Sequence, residues 1–215
     1  LFTGRLSRRE QPWLADHAGF GTTLFPGTGL LELALAATRQ LGGATVSELA
    51  LAAPVVLPPG EGLRVQLSLE PADETGQRAL MLHSQPEDAS EDMGWSHHAT
   101  GLVQTEREPE PVRCEDLVTW PPVGAKPIDL DGFYDGLHAR GFEYGSSFQG
   151  LQEAWRSPDA AYGKVALPER LSSSAAEYGL HPALMDAALH TLMAAGRGEE
   201  HQDNAGVLLP FEWAD

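Results

Sequence analysis

The sequence predicts an α+β protein in which two antiparallel sheets each wrap around one central helix. Each half of the chain contains one Leu/Ala-rich helix with apolar residues on nearly every side. Each helix lies among short runs in which apolar and polar residues alternate, as they do in half-buried strands. A sheet with one apolar face can cover such a helix. This arrangement is a hot-dog unit, and its presence in both halves suggests an internal duplication, which predicts a double hot-dog fold.

The first half predicts one helix followed by several strands. The helix covers residues 30–41, with Thr28 as the expected N-cap and Gly42 as the expected C-cap. The clearest strand is the alternating run at residues 63–69. Two further strands are predicted at residues 79–84 and 95–104.

Proline and charged residues then become frequent between about residues 105 and 127, which is typical of a linker over a surface. We therefore assign residues 1–105 to a first hot-dog subdomain, 106–127 to a linker and 128–215 to a second subdomain. We expect the domain to be incomplete at both ends and the second sheet to be truncated.

For the second half, the sequence predicts helices at residues 133–140 and 181–195, strands at 148–156 and 161–167, and a strand entry at 209–213.

Composition and charge exclude several classes of protein. A hydrophobic fraction of 42% supports a packed core. A net charge of −17 argues against a nucleic-acid partner and against an anionic membrane surface. Cys114 is the single cysteine, so a disulfide within the chain is impossible, which fits a reducing compartment such as the cytoplasm. No apolar run approaches the roughly 18 residues that suggest a membrane span. The N-terminus lacks a signal-peptide layout and an initiator Met, so the chain looks cut from something longer.

A histidine followed by a glycine and a proline forms the first candidate site. Residues 17–26 have the spacing H-x3-G-x4-P, beginning at His17. Gly21 permits a sharp turn or a close backbone approach to a ligand, and Pro26 fixes the chain before the helix, where a free amide could polarise a carbonyl. Asp16 is a poor orienter for His17, because neighbours on a strand face opposite ways. Alone, the run is more typical of a core histidine beside an ordinary loop.

A carboxyl and a second histidine lie four residues apart on the predicted helix of the second half. Asp186 and His190 therefore share one face, which is otherwise Leu, Ala and Met. A carboxyl in such surroundings must be protonated or paired, and a structural hydrogen bond to His190 would also satisfy it. A third run places Tyr144 and Gly145 in a loop, where a phenol and backbone amides could border a pocket.

Four ordered runs together resemble the dehydratase domain of modular polyketide synthases. The matching runs are residues 17–26, 144–148, 181–190 and 209–213, for H-x3-G-x4-P, Y-G-P-x-F, H-P-A-L-L-D-x3-(Q/H) and L-P-F-x-W. Ser146 stands where the family usually has proline, which we expect to loosen the loop without removing Tyr144. The family's domain also extends beyond the last motif and begins before Leu1, which implies a trimmed or partial domain here.

The resemblance implies a substrate, a reaction and residue roles. The substrate would be a 3-hydroxyacyl thioester on the phosphopantetheine arm of an acyl carrier protein, and the products the 2-enoyl thioester and water. His17 would remove the C2 proton and Asp186 would protonate the departing hydroxyl. His190 would orient Asp186, Tyr144 would support the hydroxyl end, and Gly21 would line the carbonyl site. No metal and no cofactor is implied. The carrier protein, neighbouring synthase domains and a second copy of the chain would be partners.

The chemistry leads us to expect that burial lowers the pKa of His17 and raises that of Asp186.

A cyclase or double-bond isomerase on the same fold could reuse the same base. A catalytically silent structural domain and a hot-dog thioesterase are further alternatives. Motifs for a dinucleotide site, a phosphate-binding loop and a serine-hydrolase elbow are absent from the sequence. His97 and His98 face opposite sides of a predicted strand, so they are poor candidates for a shared metal.

Overall fold

The computed structural model describes residues 1–42, 44–60, 62–90, 92–104, 119–196 and 212–214. The strands in this part of the chain are β1 (Phe2–Leu6), β2 (His17–Gly19), β3 (Thr22–Phe25), β4 (Thr45–Leu51), β5 (Val55–Val56), β6 (Leu63–Leu69), β7 (Gln77–Pro86), β8 (Ser96–Gln104), β9 (Lys126–Ile128), β10 (Phe142–Tyr144), β11 (Leu151–Arg156), β12 (Ala161–Val165) and β13 (Glu212–Ala214). The α-helices are α1 (Gly27–Gln40), α2 (Phe133–Ala139) and α3 (Pro182–Ala195). Short 3₁₀ helices cover Pro12–Asp16, Glu169–Leu171 and Ala175–Glu177.

The first helix-on-sheet unit is built on α1. Six described strands form an antiparallel sheet in the order β1-β6-β7-β8-β4-β13. Alternation in β6 buries Leu63, Val65 and Leu67 on one face of this sheet. The side chains of α1 that join the same hydrophobic core are Leu30, Leu31, Ala34 and Ala37.

The second unit is built on α3. Three described strands form an antiparallel sheet in the order β12-β11-β9, and α3 packs against β11 and β12. This unit has its own hydrophobic core, formed by Phe133, Leu137, Phe142, Leu151, Ala154 and Ala194. Two helix-on-sheet units are therefore present, and the prediction of an α+β double hot-dog fold is confirmed.

A third sheet joins the two halves of the chain. Its described strands lie in the order β10-β2-β3-β5, so β10 from the second half pairs antiparallel with β2 from the first. The register places Tyr144 opposite His17. The two central helices also touch, because the Thr28 hydroxyl donates a hydrogen bond of 3.1 Å to the carbonyl of Pro182. His17 therefore lies at the boundary between the units.

Two details of the predicted elements are wrong. Thr28 is not the N-cap of α1, because the helix begins at Gly27 with Pro26 as its N-cap, and Thr28 is buried against α3. The strand predicted from residue 148 begins only at Leu151, since residues 145–148 form a turn closed by the Phe148 amide on the Gly145 carbonyl at 2.9 Å.

The subdomain boundaries remain a prediction, to which the pairing adds two observations. Lys126 and Pro127 belong to β9, which pairs with β11, although we assigned them to the linker. Glu212–Ala214 pairs with β4 in the first sheet, although we assigned these residues to the second subdomain. Residues 105–118, most of the proposed linker, and residues 209–211 of the last motif lie outside the described residues.

Glu32 on α1 holds the segment that leads into α3. Its two carboxylate oxygens accept the amides of Gly179 at 2.9 Å and Leu180 at 3.2 Å. Arg39 pairs with the same carboxylate at 2.6 Å. Glu32 is buried, and an unpaired charge at such a position would be costly. The carboxylate and its donors therefore hold this segment beside α1.

Replacing Glu32 with Ala should lower the free energy of unfolding by about 1–3 kcal/mol, because two backbone donors lose their acceptor. Urea denaturation measures the change. Glu153→Ala is the matched control: Glu153 forms an exposed ion pair with Lys164, and its loss should change the same free energy by less than about 1 kcal/mol. Equal losses in both variants would contradict the role given to Glu32.

Candidate active site

The hydrogen bonding of His17 determines which ring nitrogen can act as a base. Its Nδ1 lies 2.9 Å from the carbonyl oxygen of Leu24, on the neighbouring strand β3. A carbonyl can only accept, so Nδ1 carries the hydrogen and Nε2 keeps the lone pair when the ring is neutral. The β2–β3 hairpin thus presents Nε2 of His17 as a base.

The surroundings of His17 keep its ring neutral. The ring packs against Phe148, at 4.9 Å between centroids, and Tyr144, at 5.5 Å. Burial lowers the pKa of His17 below its ordinary value of 6.5. In their charged forms, Asp186 opposes this shift and His190 adds to it. Both residues of α3 therefore act electrostatically on a histidine of the first half.

Asp186 and His190 lie on the same buried face of α3, as their spacing predicts. Asp186 is 8% exposed and His190 is 1% exposed. Asp186 Oδ2 lies 3.2 Å from His190 Nε2, but the angles are not those of a hydrogen bond, and neither atom has another hydrogen-bond partner among the described residues. An oxygen this poorly satisfied inside a protein is uncommon and typical of a functional site.

Tyr134 on α2 is a site residue that the sequence analysis did not identify. Its hydroxyl accepts the amide of Leu151 at 3.2 Å and lies 3.3 Å from His190 Nδ1. The hydroxyl has one hydrogen and a second lone pair, so it can donate to Nδ1 or accept from it; donation would leave the ring proton of His190 on Nε2, beside Asp186. Burial raises the pKa of Tyr134 to about 12, so the hydroxyl keeps its proton. The contact spans 56 residues of sequence, and no local pattern indicates it.

Tyr144 stands between the two histidines. Its ring lies 4.4 Å from the ring of His190 and 5.5 Å from that of His17, measured between centroids. Burial, with a contribution from Asp186, raises the pKa of Tyr144, so its hydroxyl remains a donor at neutral pH. The residues predicted from separate motifs, His17, Tyr144, Asp186 and His190, are therefore brought together at the boundary between the two units.

Gly21, Pro26 and Gly145 occupy different positions. Gly21 is exposed, has a φ of +76°, and donates its amide to Glu143 Oε1 at 2.8 Å. Glu143 neighbours Tyr144 in β10 and so points to the opposite face, which gives no support to a carbonyl-binding role for Gly21. Pro26 is buried at the N-cap of α1, and Gly145 opens the turn after Tyr144.

A cavity of about 350 Å³ lies outside this site. It has no acidic or basic lining residue, so we do not treat it as a catalytic pocket. Its lining residues are Phe2, Thr3, Gly4, Leu33, Ala36, Ala37, Gln40, Val65, Leu67 and Leu82.

Within the described ranges there is no group of three or more His, Cys, Asp or Glu side chains arranged to hold a metal ion. Of the helices described, none is both long and apolar enough to cross a membrane.

Comparison with known proteins identifies the family. Residues 1–85 match the family model for a polyketide synthase dehydratase domain, and residues 114–215 match that for a polyketide synthase dehydratase N-terminal domain. The crystal structure of the dehydratase domain from the terminal module of the rifamycin polyketide synthase is 41% identical, with a TM-score of 0.87. The match covers 99% of this chain and 73% of that one. The chain belongs to the polyketide synthase dehydratase family.

Further relatives of this dehydratase domain show the context in which such domains occur. Polyketide synthase GfsA of Streptomyces halstedii is 46% identical over 213 residues, covering 99% of this chain but 3% of that protein. The chain thus spans only a small part of the curated relatives it matches. A bifunctional dehydratase-cyclase domain from ambruticin biosynthesis is 39% identical, with a TM-score of 0.89, and the match covers 99% of this chain and 72% of that one.

The lowered pKa of His17 predicts how stability depends on pH. Below about pH 6.5 the unfolded chain protonates His17 while the folded state resists protonation, so stability falls as pH falls. Between pH 7.5 and 5.5 this residue should account for a loss of about 1 kcal/mol. Urea denaturation at the two pH values measures it, and the His17→Gln variant should lack that part of the loss. An unchanged pH dependence in His17→Gln would contradict the assignment.

Proposed function

We propose that this dehydratase domain removes water from a 3-hydroxyacyl thioester carried on the phosphopantetheine arm of an acyl carrier protein. One observation carries the proposal: a histidine whose neutral ring keeps its lone pair on Nε2 lies within electrostatic range of a buried carboxyl, one of whose oxygens has no hydrogen-bond partner among the described residues. They come from different halves of the chain. The reaction is a β-elimination, which requires one base and one acid acting on adjacent carbons.

The proposed step balances without a further reactant. Nε2 of His17 takes the proton from C2 of the thioester, and the electrons of that C–H bond form the C2=C3 double bond. The C3–O bond breaks, and Asp186, entering the reaction protonated, transfers its proton to the departing hydroxyl to give water. A return of the proton from His17 to Asp186, directly or through solvent, resets the site. The electron pair of the C–H bond forms the double bond and that of the C–O bond leaves with the oxygen, so the step involves no net oxidation or reduction.

The surrounding residues fit supporting roles. In the proposed arrangement the Tyr134 hydroxyl donates to Nδ1 of His190, and the Nε2 of His190 lies 3.2 Å from Asp186 Oδ2. His190 can thus orient the Asp186 carboxyl, which is the role that we expected for it from the sequence. The Tyr144 hydroxyl, kept protonated by burial, is a donor for the hydroxyl end of the substrate. Positioned acid and base groups each contribute about 10²–10⁴-fold to such a rate.

The proposed partners follow from the relatives and from the charge. The relatives are long polyketide synthases, so carrier protein and neighbouring synthase domains are the partners we propose, together with a second copy of this chain. At −17 the chain has little long-range attraction for an acidic carrier. Tethering on one polypeptide would offset this through an effective concentration of about millimolar.

A dehydratase-cyclase is the second candidate function, because a bifunctional domain of that kind shares the fold and 39% of the residues. After dehydration, addition of a second substrate hydroxyl to the enoyl product would close a ring without changing the mass. Chromatography separates the open enoyl thioester from its cyclic isomer. A substrate with a suitably placed hydroxyl distinguishes the two functions.

Replacing His17 with Ala, or Asp186 with Asn, should lower the rate of dehydration by at least about 10³-fold, because each removes one of the two proton-transfer groups. Mass spectrometry of a short 3-hydroxyacyl thioester follows the loss of water, and circular dichroism checks folding. The matched controls are His138→Ala and Asp159→Asn, which change the same residue types at exposed positions. Near-native turnover in His17→Ala or Asp186→Asn would contradict the assigned roles.

Tyr134→Phe should reduce kcat by about 10-fold, because His190 loses the donor that fixes its tautomer while the acid and base remain. Steady-state kinetics measures the change. Tyr162→Phe alters a tyrosine on β12 and should leave kcat within about twofold. If Tyr134→Phe had wild-type kcat, the orienting chain through His190 would be excluded.

A further inference from the structure

Asp16, the residue before His17, contacts the turn that follows Tyr144. Its backbone carbonyl accepts the Gly145 amide at 2.7 Å. Its Oδ2 accepts the amide of Ser147 at 2.9 Å and the hydroxyl of Ser147 at 2.6 Å. A Cβ atom on Gly145 would collide with the Asp16 side chain, so the glycine permits this approach. Asp16 therefore binds the neighbouring turn, consistent with the expectation that it does not orient the imidazole itself.

Arg170 closes the same set of contacts from a third segment, the 3₁₀ helix Glu169–Leu171. Its Nη2 donates to Asp16 Oδ2 at 2.7 Å and to the Ser147 hydroxyl at 2.7 Å. Its Nη1 donates to the Ser146 hydroxyl at 2.6 Å. A guanidinium can bind all three because its donors point in fixed, divergent directions. We call Asp16, Ser146, Ser147 and Arg170 the Asp16 clasp.

The Asp16 clasp holds the turn that carries the aromatic residues packed around His17. Tyr144 and Phe148 lie at the two ends of the clasped turn, and both pack against the ring of His17. His17 itself follows Asp16 directly in the chain. A movement of the turn would therefore shift the base and the aromatic rings relative to one another. Displacements of about 1 Å at a reacting centre can lower a rate about 10²-fold.

The conformation of the turn at residues 145–148 explains how Arg170 can stabilise it. The Phe148 amide bonds to the Gly145 carbonyl at 2.9 Å, which makes Ser146 the second residue of a β-turn. Proline is favoured at that position in common turns because its ring fixes φ. Ser146 lacks this constraint, and for that reason we expected a looser loop. Instead, the serine hydroxyl is bound by Arg170, so an external contact replaces the internal one.

We propose that Arg170 is a positioning residue for the dehydration, acting through the Asp16 clasp to fix His17 and Tyr144. The inference rests on the proposed function. It assigns Arg170 no contact with substrate, and it predicts that the turn can be stabilised in another way.

Arg170→Ala in the intact native protein should lower kcat about 10-fold or more with the acid limb of its pH profile unchanged, because the clasp alters position and leaves Asp186 and His190 beside the base. Arg170→Lys should recover part of kcat, since one ammonium can still reach Asp16. Adding Ser146→Pro to Arg170→Ala should recover kcat by several-fold, since proline restricts the same turn. Lys164→Ala, which removes an exposed ion pair with Glu153, is the control and should leave kcat within about twofold.

Hydrogen exchange measured by mass spectrometry provides a readout that does not need turnover. Peptides covering residues 142–150 should exchange faster in Arg170→Ala, and the added Ser146→Pro should slow this exchange again. Wild-type kcat in Arg170→Ala, an equal loss in Lys164→Ala, or failure of Ser146→Pro to restore both readouts would overturn the proposal. If exchange changes as expected but the wild-type protein dehydrates no thioester, the clasp is supported and the proposed function fails.

Discussion

The pairing of β10 with β2 is the constraint on which the site depends. It is the short antiparallel ladder that sets Tyr144 opposite His17 and so brings a strand of the second half against the base of the first. Side chains alternate along a strand, so a shift of one residue would place Glu143 beside His17 and turn Tyr144 away. Three residue pairs are few to fix a register. The Gly145 amide on the Asp16 carbonyl and the Asp16 clasp extend the contact beyond the ladder.

Burial at this boundary shifts the pKa values of three side chains in the direction that the proposed chemistry needs. It lowers the pKa of His17, which must accept a proton, and raises those of Tyr134 and Tyr144, which must keep theirs. The same desolvation makes the poorly satisfied oxygen of Asp186 unfavourable in the resting protein. Such groups persist because the surrounding structure holds them, here through Glu32, the contact between α1 and α3, and two separate cores.

Much of the fold follows from the sequence because burial leaves a periodic signal. The strand at Leu63–Leu69 has the predicted bounds, and α3 covers all but one residue of the predicted range. The differences occur where local pattern gives way to long-range contacts. Threonine is a common residue at helix N-caps, yet the Thr28 hydroxyl donates to the carbonyl of Pro182, 154 residues away in the sequence. Glu212–Ala214 is a short strand whose pairing with β4 depends on the topology of the whole chain.

The site divides in the same way. His17, Tyr144, Asp186 and His190 belong to runs whose spacing is visible in the sequence, and their roles remain proposals. Tyr134 and Arg170 carry no such signal, because a lone tyrosine on a short helix and a lone arginine in a connection are common everywhere. Each acts on a group that was predicted, the first on the tautomer of His190 and the second on the turn beside His17. Sequence patterns therefore indicate which groups can exchange protons. The residues that act on tautomer and position become apparent only in the folded structure, since His190 lies 56 residues from Tyr134 and Asp16 lies 154 residues from Arg170.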